Sequence, residues 1–278
     1  MILVGIATIE GNKIDVLKDM GRVQNLIYQS KENSSNIGIA HTRWATHGKP
    51  SKENAHPHLD NSNTFSVVHN GIIENYVQLK SFLEVNGYKF YSQTDTEIIP
   101  NLIHYFYKQH NSFLKSVNLA CKKLEGSYAI CVLCTEEPNK IIVAKKDSPL
   151  VLGKGENENY ICSDIPAILE YTKEFFFLSD FEFAEITKEN IDFYDINLNP
   201  ITKKSQIINL DNNAAQKNGY EDFMLKEIIE QPDSIRKTLQ DFEFDYNIIK
   251  KFRKINIIAC GTAMHAGLVR QSTYRRTL

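Results

Sequence analysis

Along the chain the spacing of apolar residues changes period several times, and each change predicts an element. Residues 2–9 alternate weakly and are rich in β-branched residues, and Gly11-Asn12 separates them from Lys13–Leu17. That pattern predicts a hairpin. Val23, Leu26 and Ile27 lie at helical spacing within 22–31, and 36–40 reads as a short buried strand. A long polar loop, 41–63, carries His, Arg, Trp and Pro. It leads to a strand at 65–69 that breaks at Asn70-Gly71. Tyr76, Leu79, Phe82 and Leu83 mark the inward face of a helix over 74–87, with Gly87 as its C-cap. A further helix opens at Thr94–Glu97 with Pro100 early in it, and another spans 112–124.

From 127 to 194 strands dominate, at 127–134, 140–145, 149–152, 159–162, 175–178, 183–187 and 191–194, with one short helix after Ser163-Asp164. Strands, then helices, then strands predict an α+β layered fold. The polar stretch 205–219 reads as a linker. Helices at 221–230 and 232–240, split by Pro232, precede a buried strand at 255–259 that runs into Cys260-Gly261-Thr262.

Composition narrows the function. With 278 residues, 42% of them hydrophobic, the chain has enough apolar mass for a full core. A net charge of −2 argues against a nucleic-acid partner, which asks for a basic face. No apolar run approaches the roughly 20 residues of a membrane span. The N-terminus lacks the basic flank of a signal peptide, so the expected location is cytoplasmic. The five cysteines are an odd number in apolar surroundings, which suits a reducing compartment. Cys131 and Cys134 have redox-motif spacing but fall inside a predicted strand, where packing is the expected role.

Three polar constellations stand out. In Ile39–Gly48 a buried strand delivers polar groups to its end; Arg43 offers a planar fork for a carboxylate, with Thr46 and His47 to supplement it, and a structural ion pair is the alternative. In Val68–Ile72, Asn70-Gly71 is either a hairpin turn or an oxyanion hole made of the Asn70 amide and the Gly71 N–H. In Thr94–Glu97, Asp95 is either part of an N-cap or a holder for an ammonium group. Five histidines, His41, His47, His56, His58 and His69, crowd the same region. A metal site is not expected there, because Pro57 is expected to point its two neighbours apart and no carboxylate or Cys cluster accompanies them. Taken jointly, a carboxylate clamp, an ammonium clamp and an oxyanion hole describe an amino-acid amide substrate, lacking only a nucleophile.

These motifs, in this order, resemble the glutamine–fructose-6-phosphate aminotransferase (isomerizing) family. The resemblance is carried by Gly38–Gly48 with Asn54-Ala55-His56-Pro57-His58, by Val68–Asn75, by Thr94–Glu97, and by Ser148–Val151 with Ser163-Asp164. The run Phe223–Pro232 is similar to the segment joining glutaminase to isomerase in that family, and Ile257–Gly267 to the opening of its phosphosugar isomerase (SIS) domain. The resemblance implies an α+β N-terminal-nucleophile glutaminase of αββα layers at 1–204, a linker at 205–219 and an incomplete α/β isomerase start at 220–278. It implies that Arg43 binds the glutamine carboxylate beside Thr46 and His47, that Asp95 holds the ammonium, and that Asn70 and Gly71 form the oxyanion hole. It also implies that Trp44 gates ammonia passage and that Thr262 sits near a sugar phosphate at a helix N-terminus. Glutamine or glutamate would be the ligand, fructose 6-phosphate a substrate only of a complete protein. No cofactor or metal is implied, and the family is typically homo-oligomeric through its isomerase domain.

The family's nucleophile is a cysteine at the mature N-terminus, where this sequence has Met1 and Ile2. The chain is therefore expected to begin after the family's first strand and to lack the catalytic thiol, with no other cysteine next to the site motifs in sequence. The basic tail after Val269 departs from the family and suggests a frameshift or premature stop, and Ala263 stands where the family usually has Ser. Three functions compete: a hexosamine-forming enzyme, an inactive fragment, and a module that binds glutamine or glutamate without chemistry.

Overall fold

The computed structural model describes residues 2–29, 33–44, 49–209, 219–241, 251–252, 254 and 256–277. Two compact units make up the chain, Met1–Ala215 and Gln216–Leu278.

The first unit is built on three antiparallel sheets. The largest has seven strands in the order β13-β12-β11-β7-β6-β5-β4. In chain order these are β4 (His58–Leu59), β5 (Phe65–Ile73), β6 (Gly126–Cys134), β7 (Ile141–Lys146), β11 (Phe183–Ile186), β12 (Ile191–Tyr194) and β13 (Pro200–Ile201). A three-stranded sheet places β1 (Ile2–Glu10) between β2 (Lys13–Met20) and β3 (Gly38–Trp44). The third sheet runs β14 (Gln206–Ile207), β10 (Glu174–Phe177), β8 (Val151–Lys154), β9 (Asn159–Cys162).

Period-two alternation on the central strands builds two cores back to back. On β6, Tyr128, Ile130, Val132 and Cys134 join Phe65 and Val67 of β5 in a core with α2 (Tyr76–Val85), α3 (Ile98–His110) and α4 (Phe113–Cys121). The intervening Ala129, Cys131 and Leu133 join Val68 in a second core with Ala7 and Ile9 of β1, Ile39 of β3, and Leu152 of β8. Phe65 anchors the helical side, edge-on to Tyr107 at 5.2 Å and tilted against Phe113 at 5.7 Å. A short helix, α1 (Val23–Gln29), lies on β1 and β2 and buries Leu26. Cys131 and Cys134, three apart on one strand, therefore face opposite cores, which removes the geometry for a disulfide or shared metal.

Several expectations need correction. Asn70-Gly71 does not break its strand: β5 runs on to Ile73, with Asn70 opposite Ala129 and Gly71 opposite Tyr128. Gly71 reaches this pairing at φ +135°, a conformation open to glycine, so what looks like a turn signal is a ladder position. The expected loop at 41–63 starts late, because β3 extends through Arg43 by pairing with β1. Phe82 is 43% exposed, and among the α2 residues only Leu83 is fully buried.

In the second unit, α5 (Phe223–Asp241) is one helix with Pro232 inside it rather than two helices. Its exposed flank lets water take the carbonyl that the proline leaves without a donor. The strand expected at 255–259 is not formed over 256–259, and Ile257 and Ile258 are 56% and 98% exposed. A strand needs a paired neighbour, and no strand is present among the described residues of this unit. Residues Gly261–Thr277 form α6.

Candidate functional site

The polar constellations converge where β3 and β5 end. Arg43, on β3, is 7% exposed, and the Asp95 carboxylate acts electrostatically on its guanidinium. Asp95 is also 7% exposed, and its Oδ2 accepts a 2.7 Å hydrogen bond from the backbone N–H of Ile73, the last residue of β5. No side chain caps α3, so Asp95 is not its N-cap; it is tied to the sheet instead.

The turn that presents Asp95 is rigidly tied. Glu97 accepts from the backbone N–H groups of Tyr91 at 2.9 Å and Ser92 at 2.7 Å. Asn54 accepts from the Gln93 N–H at 2.8 Å while donating to the Lys49 carbonyl at 2.8 Å. Such bonds satisfy backbone groups that no helix or ladder takes up.

Alternation on β5 separates two neighbours. Asn70 lines a cavity of about 530 Å³ together with His41 of β3. His69 also borders this cavity, but its ring turns to Thr96, whose hydroxyl lies 2.9 Å from Nδ1. Gly71 is a close-approach position: a Cβ there would stand 2.1 Å from the Ser127 carbonyl oxygen. Arg43 and Asp95 are not among the residues that line the cavity with His41 and Asn70.

Four histidines pack together here. His41 stacks on His56 with ring centroids 4.3 Å apart, and His58 meets His56 edge-on at 5.0 Å. The expectation that Pro57 splays its neighbours is overturned, because the His56 and His58 rings meet in one cluster. Burial, followed by repulsion from neighbouring basic groups, holds His56 and His58 well below the usual imidazole range. Burial likewise pushes His69 down to about 4 and lowers His41. These are neutral imidazoles at neutral pH. No group of three or more His, Cys, Asp or Glu is arranged to hold a metal among the described residues.

Sequence reasoning missed that Cys131 and Cys162 line the same cavity as His41 and Asn70. The alternation of β6 could have signalled Cys131, while Cys162 ends β9 and carries no such signal. Burial pushes these thiols up to about 12 and about 11, so neither is a ready thiolate. It also missed Thr96, whose hydroxyl joins His69 to His56. Thr46 and His47 lie outside the described residues, and only the backbone of Trp44 is described. Thr262 is exposed in the first turn of α6.

Comparison with known proteins supports what the geometry suggests. Residues 41–170 match the glutamine amidotransferase domain. A glutamine–fructose-6-phosphate aminotransferase [isomerizing] of Clostridium acetobutylicum is 48% identical over 279 residues, covering 95% of this chain and 46% of that one. One from Aquifex aeolicus is 46% identical over 271 residues, covering 95% and 45%. The glutamine phosphoribosylpyrophosphate amidotransferase of B. subtilis shares the fold at a TM-score of 0.60 and 24% identity, covering 71% of this chain and 44% of its own. The matched domain and the shared fold place the first unit in the class of glutamine amidotransferase domains.

Within that class the chain belongs to the glutamine–fructose-6-phosphate aminotransferase family. It spans about half the length of the curated relatives it matches. No helix among the described residues is long and apolar enough to cross a membrane.

Proposed function

We propose that the first unit binds glutamine and polarises its side-chain amide, as the glutaminase half of an enzyme that passes ammonia to fructose 6-phosphate to make glucosamine 6-phosphate. Residues 1–204 are the glutaminase domain, 205–219 the linker and 220–278 the start of the phosphosugar isomerase domain. The observation that carries this reading is that two buried groups of opposite charge, Arg43 on β3 and Asp95, act on one another, with Asp95 tied to the end of the strand that bears Asn70 and Gly71. Arg43 takes the α-carboxylate and Asp95 the α-ammonium, so the two opposite charges of the ligand meet the two opposite charges of the site. Thr46 and His47 flank the carboxylate. Asn70 and the Gly71 N–H receive the developing oxyanion, both as neutral donors fixed in place before reaction. Trp44 would gate ammonia, and Thr262 would approach the sugar phosphate in a complete isomerase domain.

Hydrolysis also needs an attacking thiolate at this cavity. Burial keeps Cys131 and Cys162 protonated, which favours a second reading in which these residues bind glutamine or glutamate without turnover.

Isothermal titration of the chain with glutamine and glutamate tests the first reading. Binding is expected, and Arg43→Ala should weaken it roughly 100-fold, since truncating one member of a buried charge pair leaves the other uncompensated. Equal affinity in parent and variant would discard Arg43 as the carboxylate ligand. An ammonia-release assay on the same samples separates the readings, with no release expected from the binding module.

A further inference from the structure

We infer that a ladder of neutral histidines positions both oxyanion donors, His41 by orienting the Asn70 carboxamide and His69 by anchoring the backbone beside Gly71. The inference rests on the glutamine-binding reading for the role of those donors, while the ladder itself is a matter of hydrogen-bond direction.

Asn70 Oδ1 only accepts, and it lies 2.8 Å from His41 Nε2. His41 therefore carries its proton on Nε2 and donates it. The amide is thereby fixed with Oδ1 toward His41, which leaves both N–H donors of Asn70 for the cavity that its side chain lines. The His41 ring is held flat against His56, at an interplanar angle of 21°.

His56 is itself fixed by a one-way circuit. The backbone N–H of His69 donates to His56 Nδ1 at 3.3 Å, so the His56 proton sits on Nε2. That proton goes to the Thr96 hydroxyl oxygen at 3.3 Å. The Thr96 hydroxyl then has one proton to give, and His69 Nδ1 accepts it at 2.9 Å. His69 is left with a proton on Nε2, which lies 3.5 Å from the Ser127 carbonyl oxygen. The circuit starts on the backbone of His69 and returns to its ring. It ends on the carbonyl that a side chain at position 71 would strike. His56 and His69 each use one nitrogen as acceptor and the other as donor, an arrangement that only the neutral form completes, while His41 donates from Nε2 and its buried Nδ1 has no hydrogen-bond partner among the described residues.

The test begins with the full chain labelled with ¹⁵N-histidine. A long-range ¹H–¹⁵N correlation spectrum at pH 7.5 is expected to show His41, His56 and His69 as neutral Nε2–H tautomers. A proton on Nδ1 of His41 would overturn the inference whatever the ligand. The second arm compares His41→Leu with His41→Gln, whose carboxamide N–H₂ replaces the lost donor. Each is titrated with glutamine and with norvaline, which has the same main-chain groups and no carboxamide. Losing one hydrogen bond to the carboxamide should weaken glutamine about tenfold in His41→Leu relative to norvaline, and about twofold or less in His41→Gln. Equal losses for both ligands in His41→Leu would mark a purely structural role and sink the proposal. If the parent binds neither amino acid, the glutamine-binding reading falls, and the tautomers alone decide the ladder.

Discussion

Gly71→Ala is expected to lower stability by about 4 kcal/mol, in the range that marks a specific steric conflict rather than ordinary repacking. Two costs combine. The backbone at residue 71 sits at φ +135°, where an L side chain is strained. The added Cβ would also lie 2.1 Å from the Ser127 oxygen and 2.7 Å from its carbonyl carbon. That carbonyl belongs to β6, which pairs with β5 across nine register positions from Phe65 to Ile73. Relief therefore requires β5 and β6 to part locally. Since Gly71 donates one of the two proposed oxyanion bonds, glutamine affinity should fall with stability. Urea unfolding followed by circular dichroism checks the first effect, and titration with glutamine the second. An unchanged unfolding midpoint in Gly71→Ala would show that β5 can retreat from β6 at no cost, against the geometry.

The second large effect is a loss of stability on mild acidification. His69 is expected to have a pKa near 6.5 when unfolded and has one of about 4 when folded, the fall being caused first by burial. Between those values the unfolded chain binds more protons than the folded one. Stability therefore rises with pH through this window, is fully present above about pH 6.5, and is lost as pH falls toward 4. A fall of that size is worth about 3 kcal/mol for His69 alone. His56 and His58 move in the same direction for the same first cause and add to it. Other shifted groups act elsewhere. Asp19, Asp180 and Asp195 are held below 3.8, so their contributions are lost only at lower pH. Burial lowers Lys18 to about 8, which places its window in mild alkali. Urea midpoints measured between pH 7.5 and 5.0 should fall steeply. A flat profile would mean that the cluster is wet enough to protonate in the folded state, and would contradict the one-way circuit as well.

Much of the fold is legible in the sequence because its signals are local. The alternation of Tyr128–Cys134 and the helical spacing in α3 and α4 each identify an element without help from the rest of the chain. The errors arise where a distant partner decides. Asn70-Gly71 carries a turn signal, and only pairing with Ala129 and Tyr128 makes it a strand. Ile257-Ile258 carries a strand signal, and without a partner strand among the described residues it forms none. Pro232 reads as a boundary, yet an exposed helix carries it. The site shows the same division. Arg43, Asp95, Asn70 and Gly71 are visible as residue types suited to an amino-acid amide. The bonds that hold them are not visible, because they join positions as far apart as His69 and Ser127, or Asn54 and Gln93. The histidine cluster was conspicuous by number, but its meaning depended on which way His56 and His58 turn.

The split of β5 into an anchoring face and a cavity face has a consequence for how this sequence can vary in length. His69 and Asn70 are adjacent, and the pleat alone sends one to Thr96 and the other to His41. Deleting or inserting one residue between Phe65 and His69 would exchange these roles along the rest of the strand, putting an amide among the helices and an imidazole in the cavity. The turn at 60–64 that precedes the strand has no such constraint from the site. Changes of length are thus expected to collect at that turn, while the strand itself keeps a fixed count from Phe65 to Gly71.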